Sequence, residues 1–585
     1  MKLPLGRYLA LLKMYLKPQW RSILLLGICM VTGIGLQLLN PQILRYFIDT
    51  AGRAANGGTS MSLVIAGLLF VVVALLNQGT SIATTYLSEN VAWTATNALR
   101  TDLVAHCLAL DMSFHNTHTA GELIERIDGD VDALSNFFSQ FAVSLLSNIL
   151  LLLGVLVLFF DIDWRVGVTM TAFSAVAFLI MLYLRHRAIP FWKQQRQMSA
   201  LFYGFLSERL GGTEDIRANG ATAYILRRFY LLLRQWFPIF KKATFAGADM
   251  GIITLFMFIC GGALALLLGA YLWSIKLISV GTVYLMFRYT DMLSQPLNEI
   301  QTQFQDLQQA EACIQRVEEL LNAKPALQDD GRTPLPQGAL EVELRDVSFG
   351  YAADQPVISH LALRVQPGQV LGLLGRTGSG KTTVARLLFR LYDPQAGEVC
   401  VGGVPVQAVR LHELRQHVGM VTQDVQLFRA TVRDNLTLFN RSIHDARILE
   451  TLEEVGLSPW YCSLPAGLDS ELGADGAGLS AGEAQLLAFT RVFLANPGLV
   501  ILDEASSRLD PATEHLIERA VDKLLAGRTA IVITHRLSTI ARADDILILE
   551  GGRLLEYGPR EAHAADPASH LYHLLQTGLE VHDEL

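Results

Sequence analysis

Apolar and polar positions divide the chain into two regions of unlike texture. No residue is charged from Ser22 to Leu44, and the same holds for Ala54–Ser88, Ala133–Phe160, Val166–Leu184 and Met250–Ile275. Each run has 19 residues or more, enough for a helix to cross about 30 Å of hydrocarbon. A sixth segment, about Ser279 to Gln301, is mostly apolar but is interrupted by Arg288, Asp291 and Pro296. Six spans put both chain ends on one side. Between spans two and three lies a long polar stretch, Glu89–Asp132, and between four and five another, Arg185–Thr244. Both keep helical apolar periodicity, as at Leu206, Leu210 and Ile216, and are expected to extend as long helices beyond the bilayer. Ahead of the first span, Leu5, Leu9, Leu12 and Leu16 form a stripe beside Lys13 and Lys17. That spacing predicts a short helix lying on the inner leaflet.

The texture changes after residue 321. Asn322–Leu340 holds Pro325, Pro334 and Pro336 with two Asp and two Gly, a linker composition. From Glu341 to about Gln576, short β-branched runs alternate with helical stretches, which predicts an α/β domain with a parallel sheet. The expected organisation is therefore a transmembrane domain over 1–321, a linker over 322–340, an α/β domain over 341–576 and a tail over 577–585.

Composition narrows the function classes. Half the residues (51%) are hydrophobic, 17% are charged, and the mean hydropathy is +0.33. These values are too apolar for a fully soluble or a disordered protein. A net charge of −8 over 585 residues argues against a general nucleic-acid binder. Six cysteines without a CxxC exclude a disulfide scaffold or zinc module. Lys2, Arg7, Lys13, Lys17 and Arg21 precede the first span, and Arg185, Arg187, Lys193 and Arg196 follow the fourth. The joins on the other side are short and poor in base. The positive-inside rule predicts a multi-pass protein of the cell membrane with both termini in the cytoplasm.

The chemistry lies in the second region. Gln369–Leu374 reads as a buried strand and is followed by Gly375, Arg376, Thr377, Gly378, Ser379, Gly380, Lys381 and Thr382, then a helix through Leu391. This is GxxxxGK[ST] in a strand–loop–helix setting, where glycines let backbone N–H groups wrap a phosphate. Lys381 is expected to reach the β- and γ-phosphates and Thr382 to ligate Mg²⁺. A second buried run, Leu499–Leu502, ends in Asp503 and Glu504. An Asp there can hold Mg²⁺, and a Glu one residue later can polarise a water. A third run, Thr529–Thr534, ends in His535, expected to contact the γ-phosphate. Gln423 could touch Mg²⁺ or the attacking water. Tyr351 could stack on adenine or be an ordinary turn or core tyrosine. Arg288 and Asp291, three apart in the sixth span, share a helix face. They are expected to pair with each other or with another subunit, with a role in a substrate cavity or gate as the alternative.

Leu479, Ser480, Ala481, Gly482, Glu483, Ala484 and Gln485 lie some 20 residues ahead of the Asp-Glu pair. They resemble the LSGGQ signature of ATP-binding cassette (ABC) proteins. The P-loop, Gln423, Asp503-Glu504, Ser507-Arg508-Leu509-Asp510 and His535 stand in family order. Six spans with two long cytoplasmic loops resemble the exporter-type ABC half-transporter, so the resemblance covers essentially the whole chain: an α-helical six-span domain followed by an α/β P-loop NTPase. Phe114–Val131, with Ala120-Gly121-Glu122-Leu123, resembles the family's first coupling region, and Glu208–Ala221 the second.

The resemblance implies ATP and Mg²⁺ as cofactors, a second half-transporter as partner, membrane lipids around the spans, an unidentified transported substrate, and no nucleic acid. It implies that two ATP molecules are sandwiched between the P-loop of one chain and the signature of the other. Carried over by position, Tyr351 stacks adenine, Gly375 through Thr383 hold the nucleotide, and Thr382, Gln423 and Asp503 serve Mg²⁺. Glu504 is then the catalytic base, His535 the γ-phosphate switch, and Leu479 through Glu483 the contacts made across the dimer. This chain departs from the pattern: its signature reads LSAGE, Ala474 stands where many exporters have Glu, and Arg508 replaces a small residue. Ala481 adds a Cβ where backbone must approach phosphate, and Glu483 adds a carboxylate near a polyphosphate. The Walker side is intact. That division resembles one half of the heterodimeric exporters with one degenerate site, so a heterodimer is expected, with a homodimer tolerating LSAGE as the alternative. An importer built on the exporter fold, as some siderophore systems are, and an ATP-gated regulator or channel remain alternatives to an exporter. A soluble ATPase of the DNA-repair kind is excluded by the spans.

Overall fold

The computed structural model describes residues 14–54, 61–136, 139, 143–352, 355–473, 478–503, 511–534 and 537–577, without the side chains of 53–54, 298, 300–311, 511–512 and 537–538. The expected interfacial helix falls outside the described residues except for its end, Met14–Leu16. Two compact units form. One holds the described residues up to Cys107 together with Ala120–Ala323, and the other takes Leu108–Thr119 and everything from Lys324 onward.

In the first unit, five helices among the described residues are long and apolar enough to cross a membrane, each over an expected charge-free run. Three of them, Met61–Ala109, Trp164–Gly211 and Thr222–Ser274, have 49, 48 and 53 residues. At 1.5 Å per residue they reach about 70–80 Å, more than twice the hydrocarbon thickness. The expected polar extensions are thus continuous with the spans. The Trp164–Gly211 and Thr222–Ser274 helices are joined through a short helix, Thr213–Ala218. Beyond Ala109 the first polar stretch breaks into short pieces, Met112–Thr117, Ala120–Ile124, a π-turn over Glu125–Gly129, and Asp130–Asn136.

The sixth segment was expected as a mostly apolar span interrupted at Arg288, Asp291 and Pro296. It folds as two helices, Val280–Met292 and Ser294–Asn322. Pro296 has no N–H to give to the Met292 carbonyl, and Ser294 Oγ instead donates to the Asp291 carbonyl at 2.6 Å. The segment is nonetheless central to the unit: Leu285, Met286, Tyr289 and Leu293 are fully buried against Phe159, Met170 and Leu272. The Tyr289 hydroxyl donates to the Leu38 carbonyl at 3.0 Å and accepts from Gln42 Nε2 at 2.9 Å. Further along, Arg316 grips the buried Asp130 with two guanidinium nitrogens, Nε at 2.7 Å from Oδ2 and Nη2 on Oδ1.

The second unit contains strands β1 (Val342–Phe349), β2 (Ile358–Val365), β3 (Val370–Gly375), β4 (Ala396–Val401), β5 (Val404–Pro405), β6 (Val418–Val421), β7 (Leu499–Asp503), β8 (Thr529–Ile533), β9 (Asp545–Glu550) and β10 (Arg553–Pro559). One sheet has the order β10-β9-β3-β8-β7-β6 and is parallel except for β10. A second, antiparallel sheet, β2-β1-β4-β5, was not anticipated from the sequence. Side chains of the parallel sheet alternate between two cores, as a strand's period of two requires. Leu374, Val500, Leu502, Ala530, Val532, Ile546 and Ile548 face one core. Leu373, Leu499, Ile501, Ile531, Ile533, Leu547 and Leu549 face the other.

Segment Leu108–Thr119 packs with this unit rather than with the spans that flank it. Asp111 is the reason: its Oδ1 caps the Met112–Thr117 helix by accepting from Ser113 N at 2.9 Å and Phe114 N at 3.3 Å. Its Oδ2 accepts from the backbone N–H groups of Ala326 and Leu327. Asn116 Nδ2 then donates to the Tyr392 hydroxyl at 2.6 Å.

Candidate functional site

The loop after β3 is shaped by its glycines. Gly375, Gly378 and Gly380 have φ of +143°, +86° and +105°, values that a residue with a Cβ adopts only at a cost. At Gly375 a Cβ would also lie 2.3 Å from the Leu549 carbonyl oxygen. The loop runs into the Lys381–Leu388 helix, whose N-cap is Gly380 with no side-chain cap. The first N–H groups of that helix are left to an external acceptor, and the helix dipole favours an anionic one. Lys381 is buried in the loop, its ammonium donating to the carbonyls of Gly375 at 2.5 Å and Arg376 at 2.9 Å. The Ser379 hydroxyl is buried and has no hydrogen-bond partner among the described residues. Arg376, Thr377 and Gly378 are exposed at the rim, Thr382 is half-buried and Thr383 is buried.

Tyr351 is joined to this helix. Its hydroxyl lies 3.1 Å from Thr383 Oγ1 and accepts from Arg386 Nη1 at 3.0 Å. Its ring meets Phe349 and Tyr392 edge-on, with centroids 5.2 and 5.3 Å apart, and remains 45% exposed. Asp503 ends β7, level with Ile533 of β8, which is in turn level with Leu373 of β3. The Asp503 carboxylate and the phosphate-type loop therefore leave the same edge of the sheet, one strand apart. Asp503 is 3% exposed. Gln423 is exposed just past the end of β6 on that edge. Glu504 and His535 lie outside the described residues, as do Ala474 and Ser507 through Asp510.

The signature-like residues lie elsewhere in the unit. Ser480 caps the Ala481–Ala495 helix, whose Leu486, Leu487, Phe489 and Phe493 pack into one core of the sheet. Val384, Ala385, Leu387 and Leu388 of the helix that follows the phosphate-type loop pack into the other. The two helices thus sit on opposite faces of one sheet. Leu479 is half-buried, Ser480 and Ala481 are exposed, and Gly482 is buried. Glu483 is bound in a capping box, its carboxylate accepting from Ser480 while Glu483 N–H donates to Ser480 Oγ at 3.2 Å.

Arg288 and Asp291 form an ion pair in the helical unit, 2.5 Å from Nη1 to Oδ2, and both are about half exposed. Sequence reasoning missed Arg491 on the signature-like helix. Its guanidinium donates to the carbonyls of Gln426 at 3.0 Å and Asn435 at 2.8 Å, fastening the segment after Gln423 to that helix. Burial lowers its pKa from the usual guanidinium value. An arginine in an otherwise apolar helical stretch, Leu486 to Ala495, is the signal that could have drawn attention to it.

Comparison with known proteins agrees with this geometry. The family of the ABC transporter transmembrane region matches residues 23–297, and the ABC transporter family matches residues 358–507. A probable multidrug resistance ABC transporter ATP-binding/permease protein of Bacillus subtilis is 30% identical over 482 residues, 81% of this chain and 71% of that protein. An ATP-dependent lipid A-core flippase of Burkholderia orbicola is 28% identical over 541 residues, 92% of this chain and 90% of that protein. A fatty acid ABC transporter ATP-binding/permease protein of Mycobacterium tuberculosis is 30% identical over 460 residues, 79% and 73% of the two chains. With membrane-crossing helices and an ATP-binding α/β unit in one polypeptide, the chain belongs to the ABC transporter family, as an ATP-binding/permease protein whose ATPase is coupled to transport.

Proposed function

We propose that this chain is one half of a dimeric exporter that moves a small molecule, lipid or peptide out of the cytoplasm by alternating access. The observation that carries the dimer is the sheet itself. Its P-loop helix and its signature helix sit on opposite faces, so one chain is poorly arranged to close both on a single nucleotide. Two chains facing each other supply the missing half. The base-rich segments before the first span and after the fourth support a cytoplasmic position for both termini and the ATP-binding unit.

In this reading Lys381, released from the Gly375 and Arg376 carbonyls, pairs with the phosphates. The N–H groups from Gly375 through Thr383 cradle them, and the Ser379 hydroxyl gains the partner it lacks. Tyr351 offers the exposed part of its ring to adenine. The hydroxyl of Thr382, the amide oxygen of Gln423 and the carboxylate of Asp503 are hard oxygen donors, the set that Mg²⁺ takes. Bound there, Mg²⁺ would neutralise charge developing on the phosphates. Glu504 would take the proton of the attacking water, and His535 would contact the γ-phosphate.

The partner is proposed to be a different chain. The carboxylate of Glu483 occupies the end of the signature helix that would have to receive the partner's nucleotide, and Ala481 adds a Cβ beside it. Relatives named for multidrug resistance, lipid A-core and fatty acids leave the substrate open. The test is Mg²⁺-ATPase activity of the purified full chain, alone and with a partner carrying an intact LSGGQ, with Glu504→Gln as control. Activity that needs the partner and vanishes in the variant supports the proposal. Full activity of the chain alone contradicts the heterodimer, and activity that survives Glu504→Gln contradicts the assigned base.

A further inference from the structure

Polar residues in the apolar spans are not scattered. On the Met61–Ala109 helix, Asn77, Ser81, Thr84 and Ser88 recur at spacings of four, three and four, one stripe down one face. Gln37 faces the same way on the Trp20–Ala54 helix, and Ser144, Ser147 and Asn148 share a face of the Val143–Ile162 helix. These residues line one cavity of about 570 Å³, together with Glu89 and Gln295. Polar groups at membrane depth are costly and are placed to face a cavity that uses them. Ligand pockets are usually apolar with a few polar groups, and this one has the reverse balance, amides and hydroxyls dominating. Three of its polar residues are buried to more than nine-tenths: Ser88 and Ser139, each 6% exposed, and Asn148, 8% exposed. The Ser139 hydroxyl finds no partner among the described residues, although the Ser139 carbonyl accepts from Ser88 Oγ at 2.6 Å. A buried hydroxyl left unmatched lacks a hydrogen bond that an occupant could supply. Among the described lining residues, Glu89 is the one charged side chain, and it is negative.

We propose that this cavity binds the transported solute and that the solute is a hydroxyl- or amide-bearing amine, cationic at neutral pH, rather than an acidic lipid. The polar stripes match its hydrogen-bonding groups, and Glu89 matches its charge. A phosphate or carboxylate headgroup would meet Glu89 with like charge and find no lysine or arginine in the described lining to offset it. This inference rests on the exporter reading above.

The test is equilibrium binding to the full transporter in nanodiscs of neutral lipid, with kanamycin as the polyhydroxylated amine and oleate as the anionic amphiphile. Glu89→Gln is expected to weaken kanamycin binding about tenfold or more, Glu89→Asp to retain most of it, and Gln37→Leu to weaken it independently. Oleate is expected neither to compete nor to respond to these substitutions. Absent kanamycin binding, binding indifferent to Glu89 and Gln37, or oleate binding that depends on them, would overturn the proposal. Basal ATPase activity of the same preparations is read separately. Absence of ATPase activity from the unsubstituted chain even with its partner present would count against the transporter reading, whereas intact ATPase without kanamycin binding would count against the cavity assignment alone.

Discussion

Glu483 Oε2 accepts both the backbone N–H of Ser480, at 2.8 Å, and its hydroxyl, at 2.9 Å. Both polar groups that Ser480 could offer to a partner chain's phosphate are thereby engaged by a carboxylate of its own helix. A charged cap also offsets the positive end of the helix dipole. Glutamine at the same position still accepts the N–H through its side-chain oxygen and so keeps the capping box, without the charge. Glu483→Gln is therefore expected to leave the melting temperature nearly unchanged and to raise the ATPase rate of the chain alone on the order of tenfold. An unchanged rate would show that Ala481, or a residue outside the signature, is the greater obstacle.

Glycines of the phosphate-binding loop are not equivalent. At Gly375 an alanine meets both an unfavourable φ and the Leu549 carbonyl, whereas the space around Gly378 is open. Gly375→Ala is expected to abolish ATP binding. Gly378→Ala bears the backbone term alone, about 1–2 kcal/mol, and is expected to weaken binding by roughly an order of magnitude. Nucleotide titration of the two full-length variants separates them.

Arg316 holds a carboxylate that has almost no access to water, Asp130 at 2% exposure. Arg316→Met strands that charge and is expected to destabilise the helical unit by about 3–5 kcal/mol. Adding Asp130→Asn to the same chain removes the stranded charge and is expected to recover most of the loss. Thermal unfolding of both variants in one detergent measures the difference.

Asp111 tests a pH dependence. Burial alone would raise its pKa, but the N–H groups of Ala326, Phe114, Leu327 and Ser113 together outweigh that and hold it below the ordinary value of 3.8. A carboxyl lowered on folding contributes stability above its unfolded pKa and loses it as pH falls through the folded one. The contribution is thus complete at pH 7 and fades only below about pH 4. Asp111→Ala is expected to cost about 1–2 kcal/mol at pH 7, as for a lost helix cap. The gap from wild type should persist at pH 5 and narrow below pH 4 in melting experiments.

The elements legible in the sequence are those written locally. Charge-free runs marked the five spans because a bilayer demands about 20 consecutive apolar residues. Gly375 through Thr382 marked the phosphate-type loop because its spacing is set by one turn of backbone. In the sixth segment the interruption at Pro296 was legible, but the packing of Leu285, Met286 and Tyr289 against Phe159 and Leu272 was not, because those partners lie far away in the chain. The β2-β1-β4-β5 sheet was hidden because β1–β2 and β4–β5 are short antiparallel hairpins inside a pattern that otherwise reads as alternating strand and helix, and β1–β4 joins distant runs. Asp111, Asn116 and Tyr392 were invisible as a group: Asp111 meets Ala326 across 215 positions and Asn116 meets Tyr392 across 276. Nothing near any of them announces the other. Glu483 was read as an electrostatic burden, but its role as the partner of Ser480 needed the helix start to be located.

The most direct test of the dimer is the mass of the Glu504→Gln chain, purified alone, with ATP and Mg²⁺ present. The expected result is a protein of about 64.5 kDa that does not self-assemble on ATP, and that forms an ATP-locked pair once a partner with an intact LSGGQ is added. A stable pair of two copies of this chain locked by ATP, with the unsubstituted chain turning over ATP unaided, would contradict the heterodimer and make LSAGE a working signature.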